Sequence, residues 1–354
     1  MGKVMGKAVR VAKKDAQRVK NELRELGLID NKRAVESGEE YVYIPVLEGL
    51  CDYEVVEVEL EGREARKGFA QLLEERFGED AVKGVISSYE VIGDIAIVQI
   101  PGEMEALGAG GEKGGSVGKE IGELLLEGDN KVKAVWKKAG GREGKFRVTK
   151  IEHLAGEARS ETEYVENGVR MRLDISRVYF SPRLSNERKR IMESARDGEN
   201  VLVLFAGVGP FALEVAKAHP KCRVAGVELN PDAVRYFKEN IALNKLKNVE
   251  AVLGDAKEAC KVRFALWADR IAMPLPMHAE EFLEPALLAA KDGCIVHFYR
   301  MVERDGGVES AKKRIKEVAH RIGKNVEFVF EREVRPYSAS SMQVVIDFRV
   351  LAKS

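Results

Sequence analysis

At 354 residues, 45% hydrophobic and 33% charged, the chain is long enough to bury a real core and to divide into two or three domains. Lys+Arg and Asp+Glu balance at 58 each, which excludes a uniformly basic surface but leaves room for local patches. No apolar run reaches membrane-spanning length, Met-Gly-Lys-Val-Met-Gly is no secretory leader, and Cys51, Cys222, Cys260 and Cys294 form no CxxC pair, so the expectation is a cytoplasmic protein without membrane anchor, disulfides or metal.

In chain order, residues 1–62 join a basic amphipathic stretch, about 8–26, to two runs of alternating polarity, "EYVYIPVLEG" and "DYEVVEVELEG". This pattern predicts a small α+β module. A helical pattern over 63–77 precedes "SYEVIGDIAIVQIP" (88–101), which reads as a strand pair turning at Gly93-Asp94. The glycine-rich segment 102–116 reads as a loop. Its end, "GGSVGKE", is no phosphate loop, because Lys113 stands where the first glycine belongs and Glu120 replaces the Ser/Thr. A helix at 117–127 and strands near 131–138 and 145–153 complete a second module, 63–157. Residues 1–20 carry seven Lys/Arg against Asp15 alone, and 131–150 carry eight against Glu143 alone. Trp136 and Phe146 interleave the second run, which points to a polyanionic partner.

From about 158 the pattern changes. Apolar strands at 201–205, 222–228, 249–253, 269–273 and 294–299 alternate with helices, and strands at 326–331 and 342–350 follow a helix at 307–323. Such alternation predicts an α/β, Rossmann-like doubly wound sheet, mostly parallel, closed by a C-terminal antiparallel hairpin. Ligands of such sheets sit beyond the carboxyl ends of the strands. In "VLVLFAGVGPF", Gly207 and Gly209 permit a tight turn and close backbone approach. Glu228 ends the second strand, 21 residues after Gly207, where a carboxylate accepts bonds from ribose hydroxyls. Asp255 ends the third, where it can meet an adenine amino group. With Ala212 at the third glycine position an NAD fingerprint is permitted, yet "FAGVGPF", "GVELNPDAV" and "GDA" together suit S-adenosylmethionine better.

The segment from "FAGVGPFALEVAKA" to "VLGDAKE", with "GDIAIVQIP", "GKFRVTKIEHLAGE", "VYFSPRLSNERKRI" and "RPYSASSMQVVIDFRVL", resembles the archaeal and eukaryotic tRNA (guanine-N1)-methyltransferases acting at tRNA position 37. The resemblance covers about residues 85–354; over 1–62 it is only architectural. It implies a class I methyltransferase domain at 158–354, N-terminal α+β RNA-recognition modules, S-adenosylmethionine as cofactor, tRNA as partner, and no obligate protein partner. The expected cofactor rim comprises Phe205, Ala206, Gly207, Gly209, Glu228, Leu229, Asp255, Ala256 and Pro274.

Guanine N1 carries a proton at neutral pH, so its methylation requires a base. The resemblance assigns this role to Glu187 of "SPRLSNER", at a loop-to-helix junction after Ser185, the expected helix cap. Read without it, Glu187 is a first-turn acid complementing the helix dipole. Arg147 occupies the family's functional arginine position, where a guanidinium can steady charge developing on O6. Tyr179, Phe180, Arg183 and Pro276 are expected around the guanine, with Arg183 either holding a phosphate or ordering the loop. Two positions depart from the pattern: Val203 replaces a frequent aspartate, and Pro274 in "AMPLPMHAEEF" replaces the asparagine of "NLP". Proline offers neither an amide side chain nor an N–H. The alternatives are a sister enzyme transferring the aminocarboxypropyl group onto a wyosine precursor, and a silent tRNA-binding homologue.

Overall fold

A computed structural model describes residues 3–47, 53–62, 67–86, 89–102, 117–143, 146 and 148–352. The chain divides into two compact units after Leu72.

In the first unit, β1 (Lys3–Ala12), β2 (Glu36–Ser37), β3 (Tyr41–Pro45) and β4 (Val55–Glu61) form an antiparallel sheet in the order β2-β3-β1-β4. Only part of the amphipathic stretch is helical. β1 runs to Ala12, pairing Val9 with Ile44 on one side and Val55 on the other, and α1 (Ala16–Glu25) follows a short 3-10 turn. The period switches because Val9 and Val11 stand two apart about exposed Arg10, whereas Val19 and Leu23 are spaced four apart. All four are buried together with Ile44 and Val46.

The second unit begins within α2 (Phe69–Phe77), which α3 (Glu79–Ile86) follows. A four-stranded sheet joins β5 (Glu90–Ile92), β6 (Ile95–Val98), β7 (Ala134–Glu143) and β8 (Val148–Gly156), with α4 (Val117–Gly128) crossing between the parallel strands β6 and β7. Next comes a hairpin that the strand pattern above omits, β9 (Glu161–Glu166) and β10 (Val169–Asp174). Its turn is Asn167-Gly168, both left-handed at φ 47° and 75°, the geometry that an Asn-Gly pair favours.

After α5 (Ser185–Ser194), the large sheet comprises β11 (Asn200–Leu204), β12 (Arg223–Glu228), β13 (Val249–Leu253), β14 (Ala268–Met273), β15 (Ala290–Glu303), β16 (Lys324–Pro336) and β17 (Ser341–Ala352). Its order is β13-β12-β11-β14-β15-β17-β16; the first five strands run parallel and β17 runs antiparallel to both neighbours. This is the expected doubly wound fold with its C-terminal hairpin at the edge. On one face Val201 and Val203 pack with Ile191 of α5, with α6 (Pro210–Ala218) and with Phe237 of α7 (Pro231–Leu243). On the other, Leu202 and Ile271 pack with α8 (Leu283–Ala289) and α9 (Gly307–Arg321). Val203 is fully buried, so the departure there serves packing. Strands β15 to β17 are longer than their apolar cores predicted, since β15 runs five residues past Phe298, the partner of Met273 at the end of β14.

Candidate active site

The switch-point loops gather at the carboxyl ends of β11 to β14. Glu228 accepts a hydrogen bond from Gly207 N–H at one oxygen and from Asn230 N–H at the other, both 2.8 Å, so it braces the first loop and the second together. Phe205 is left-handed at φ 56°, unusual for a bulky residue, and its ring meets Phe282 edge-on at 4.6 Å. Gly209 is obligatory: at φ 93°, a Cβ would stand 2.1 Å from the Phe237 ring. Asp255 accepts from Lys257 N–H at 2.7 Å, capping the turn of helix Ala256–Glu258. Ala206 and Ala256 are buried, so they shape the loops from beneath. Leu229, 40% exposed beside Glu228, presents an apolar wall. A carboxylate with lone pairs to spare, an apolar wall and two glycines that let the backbone come close fit the adenosine part of S-adenosylmethionine. Pro274 follows β14 half-buried, and the Pro276 carbonyl accepts from Met301 N–H at 3.1 Å, which fixes that loop against β15.

Glu187 lies in the first turn of α5 and is 1% exposed. Ser185 does not cap this helix: the 3-10 turn Pro182–Leu184 runs straight into it, Leu184 holds the cap position, and Ser185 is the first helical residue. The Tyr299 hydroxyl donates to Glu187 Oε2 at 2.6 Å, Arg190 donates to the same oxygen through Nε and Nη2 at 3.1 Å, and Arg332 donates to Oε1 through Nε at 2.9 Å and through Nη2. Burial alone would push this carboxyl up; Tyr299, Arg332 and Arg190 outweigh it and hold it below the usual range. Behind Arg190, Asp347 accepts at 2.5 Å and contacts His297 Nδ1 at 2.9 Å. Burial pushes the His297 imidazole down against the pull of Asp347. The sequence assigns no role to Tyr299, Arg190, Arg332 or Asp347; Arg190 and Asp347 lie in two of the quoted stretches, and no local signal marks Tyr299 or Arg332.

Arg188, the neighbour of Glu187, is also buried. It grips Glu166 bidentately at 2.6 and 2.7 Å, donates to the Ser181 carbonyl, and lies over the Phe180 ring at 5.3 Å. Phe180 also meets Tyr164 edge-on at 5.0 Å, and with Tyr179 it lines a small hollow shared with Glu90 and Lys138. Arg183 pairs with Glu90 at 3.0 Å, so in this structure it orders the loop. Arg147 lies outside the described residues, as does nearly all of the glycine-rich segment (103–116). Trp136 turns inward: its indole donates to the Arg159 carbonyl and its ring packs against the core of the β5–β8 sheet. A hollow of about 800 Å³ beside Asp94 and Arg159 is lined by none of the residues named for cofactor or base. Among the described residues no helix is long and apolar enough to cross a membrane, and no group of His, Cys, Asp and Glu is arranged to hold a metal.

Three family models match the chain: a tRNA methyltransferase 5 N-terminal domain at 8–54, a TYW2 N-terminal domain at 69–160 and a TRM5/TYW2 methyltransferase domain at 162–329. The chain is 37% identical over 344 residues, 97% of its length and 98% of the relative's, to a tRNA (guanine(37)-N(1))-methyltransferase Trm5b of Pyrococcus abyssi. It is 30% identical over 281 residues, 79% of its length and 95% of the relative's, to a tRNA(Phe) (4-demethylwyosine(37)-C(7)) aminocarboxypropyltransferase of Pyrococcus horikoshii. The solved complex of aTrm5 and tRNALeu superposes with a TM-score of 0.69 at 30% identity, covering 97% of this chain and 99% of that one. Strand order, switch-point loops and near-complete similarity to Trm5b agree, and the chain belongs to the Trm5 family of S-adenosylmethionine-dependent tRNA methyltransferases.

Proposed function

We propose that this protein methylates N1 of guanosine 37 in tRNA, beside the anticodon. The observation that carries this reading is the match to Trm5b along almost the whole of both chains, on a fold whose switch-point loops fit the cofactor. Bound S-adenosylmethionine supplies an electrophilic methyl group. Glu228 and Leu229 hold its ribose and adenine, Asp255 meets the amino group of the base, and Phe205, Ala206, Gly207, Gly209, Ala256 and Pro274 shape the cradle. Guanine in the single-stranded anticodon loop can be splayed out and presented on its Watson–Crick edge. In our reading Tyr179, Phe180, Arg183 and Pro276 surround it, Glu187 takes the N1 proton, and Arg147 steadies the charge that moves onto O6. A positioned base contributes about 10²–10⁴ in rate.

We further divide the chain into a tRNA-recognition domain at 1–62, a middle domain at 63–157 and the catalytic domain at 158–354. The separate matches at 8–54, 69–160 and 162–329 support this division. We take the cytoplasm as its compartment, a reading that a tRNA substrate supports. The test is transfer from methyl-labelled S-adenosylmethionine to transcripts carrying guanosine or adenosine at position 37, with mass analysis of the nucleosides. 1-Methylguanosine from the first transcript alone is expected. The aminocarboxypropyl relative and the TYW2 N-terminal match favour a second reading, transfer of the aminocarboxypropyl group, which the same mass analysis separates by its heavier adduct on a tRNA carrying 4-demethylwyosine at position 37.

A further inference from the structure

The carboxylate assigned as base has no room for a proton donor. Five N–H and O–H groups, from Tyr299, Arg190 and Arg332, converge on two oxygens that offer about four lone pairs. One donor must leave before guanine N1–H can approach. Tyr299 is fully buried, and the Arg190 side chain is 20% exposed and tied to Asp347 as well. The Arg332 side chain is different: it is 42% exposed, stands on the edge strand β16, and pairs with Glu187 alone among the described residues. Register places it at the site. Arg332, Val345 and Tyr299 lie in one row across β16, β17 and β15, one residue beyond the row of Met273, level with Pro274.

We infer that Arg332 is a positioning residue that holds Glu187 ionised in the free enzyme and exchanges it for a phosphate of the bound tRNA, which opens Oε1 to the guanine N1 proton. The inference rests on Glu187 being the base. A guanidinium fork matches two phosphate oxygens as well as it matches a carboxylate, so the exchange replaces one ion pair with another. Once Arg332 has left, the groups facing Glu187 are Tyr299 from β15 and Arg190 from its own helix, with Asp347 of β17 and His297 of β15 behind. Arg190 then serves two carboxylates, Glu187 and Asp347, and the affinity of Glu187 for a proton rises when the substrate proton must be taken. The proton passes from N1 to Oε1, and the electron pair left on N1 would take the methyl group of bound S-adenosylmethionine, the broken carbon–sulfur bond leaving its pair on the sulfur of departing S-adenosylhomocysteine.

Single-turnover transfer to a guanosine-37 transcript, measured against pH at limiting and at saturating enzyme, tests this. The second-order rate reports ionisation of the free enzyme and the saturating rate that of the complex. In the wild type the acid limb of the second-order profile should lie below that of the saturating profile. R332A should raise the former by about 0.5–1 unit until the two coincide, leave the latter in place, and lessen the salt dependence of tRNA binding by about one phosphate contact. R332K, which keeps the charge, should restore the separation. Coincident limbs in the wild type, limbs that move together in R332A, or an unchanged salt dependence overturn the exchange. E187Q transferring at the wild-type rate instead overturns the base assignment beneath it, a result independent of any Arg332 variant.

Discussion

Glu228 and Glu187 both reach the carboxyl edge of the large sheet, yet their surroundings give them different work. Glu228 is half-buried and accepts one backbone amide at each oxygen, which leaves lone pairs for ribose hydroxyls. Glu228→Ala removes two charge-assisted bonds of about 1.5–3 kcal/mol each and should both lower the melting temperature and weaken S-adenosylmethionine binding at least tenfold by calorimetry. Glu228→Gln keeps one acceptor and should fall between. Glu187 is buried under three donor side chains, and if it is the proposed base, Glu187→Gln should lower the single-turnover rate by about 10²–10⁴ while tRNA affinity stays within about threefold. Equal loss of both would assign Glu187 to the architecture alone. Glu228 was legible from spacing, because loop, helix and strand separate it from Gly207 by a fixed length. The partners of Glu187 were not, because Tyr299 is 112 residues away and Arg332 is 145.

At the scale of elements, α5, α6 and the β9–β10 hairpin are joined by a buried triad. Arg188 faces Glu166 and Glu214, two carboxyl groups on one cation. Burial and Glu166 push Glu214 up to about 8, so the pair keeps one proton at neutral pH and Glu214 carries it. An unfolded glutamate titrates near ~4.3. The folded chain therefore holds a proton that the unfolded chain has lost, and this contribution to stability is complete below pH ~4 and declines as the pH rises to about 8. Glu214→Gln mimics the protonated form. It should flatten the fall in stability over that window, where the wild type loses up to about 1.4 kcal/mol per pH unit, as read by denaturant unfolding at pH 5, 6.5 and 8. The hairpin in this triad had a sequence signal, "YVENGVRMRL", since Asn-Gly between alternating residues is a strong two-residue turn. The α5 contacts had none, because Arg188 on an otherwise polar helix reads as solvated surface.

For the molecule as a whole, strand–helix alternation sufficed to read the catalytic sheet, its switch point and its edge hairpin, since each parallel strand is a short apolar run flanked by turn residues. Trp136 is placed by the structure alone: it interleaves a basic run, yet its ring turns into the core, because the face that a strand residue takes is set by the sheet it joins. Charge runs are equally ambiguous: Arg10 pairs with Glu54, Arg18 with Glu22 and Lys3 with Glu36, all at the surface, where such pairs contribute little to stability and can exchange for phosphates. The first unit has its own sheet and its own core around Val9, Leu23 and Ile44, so its removal should not unfold the catalytic sheet. If its basic stretch, residues 1–20, reads tRNA shape remote from the anticodon, deleting residues 1–62 should weaken binding of whole tRNA at least tenfold, reduce its salt dependence, and leave an isolated anticodon stem-loop bound nearly as before. Equal weakening on both RNAs would mean that this unit acts at the anticodon loop itself. Unchanged affinity with slower transfer would mean that it orders the bound complex rather than recruiting the tRNA.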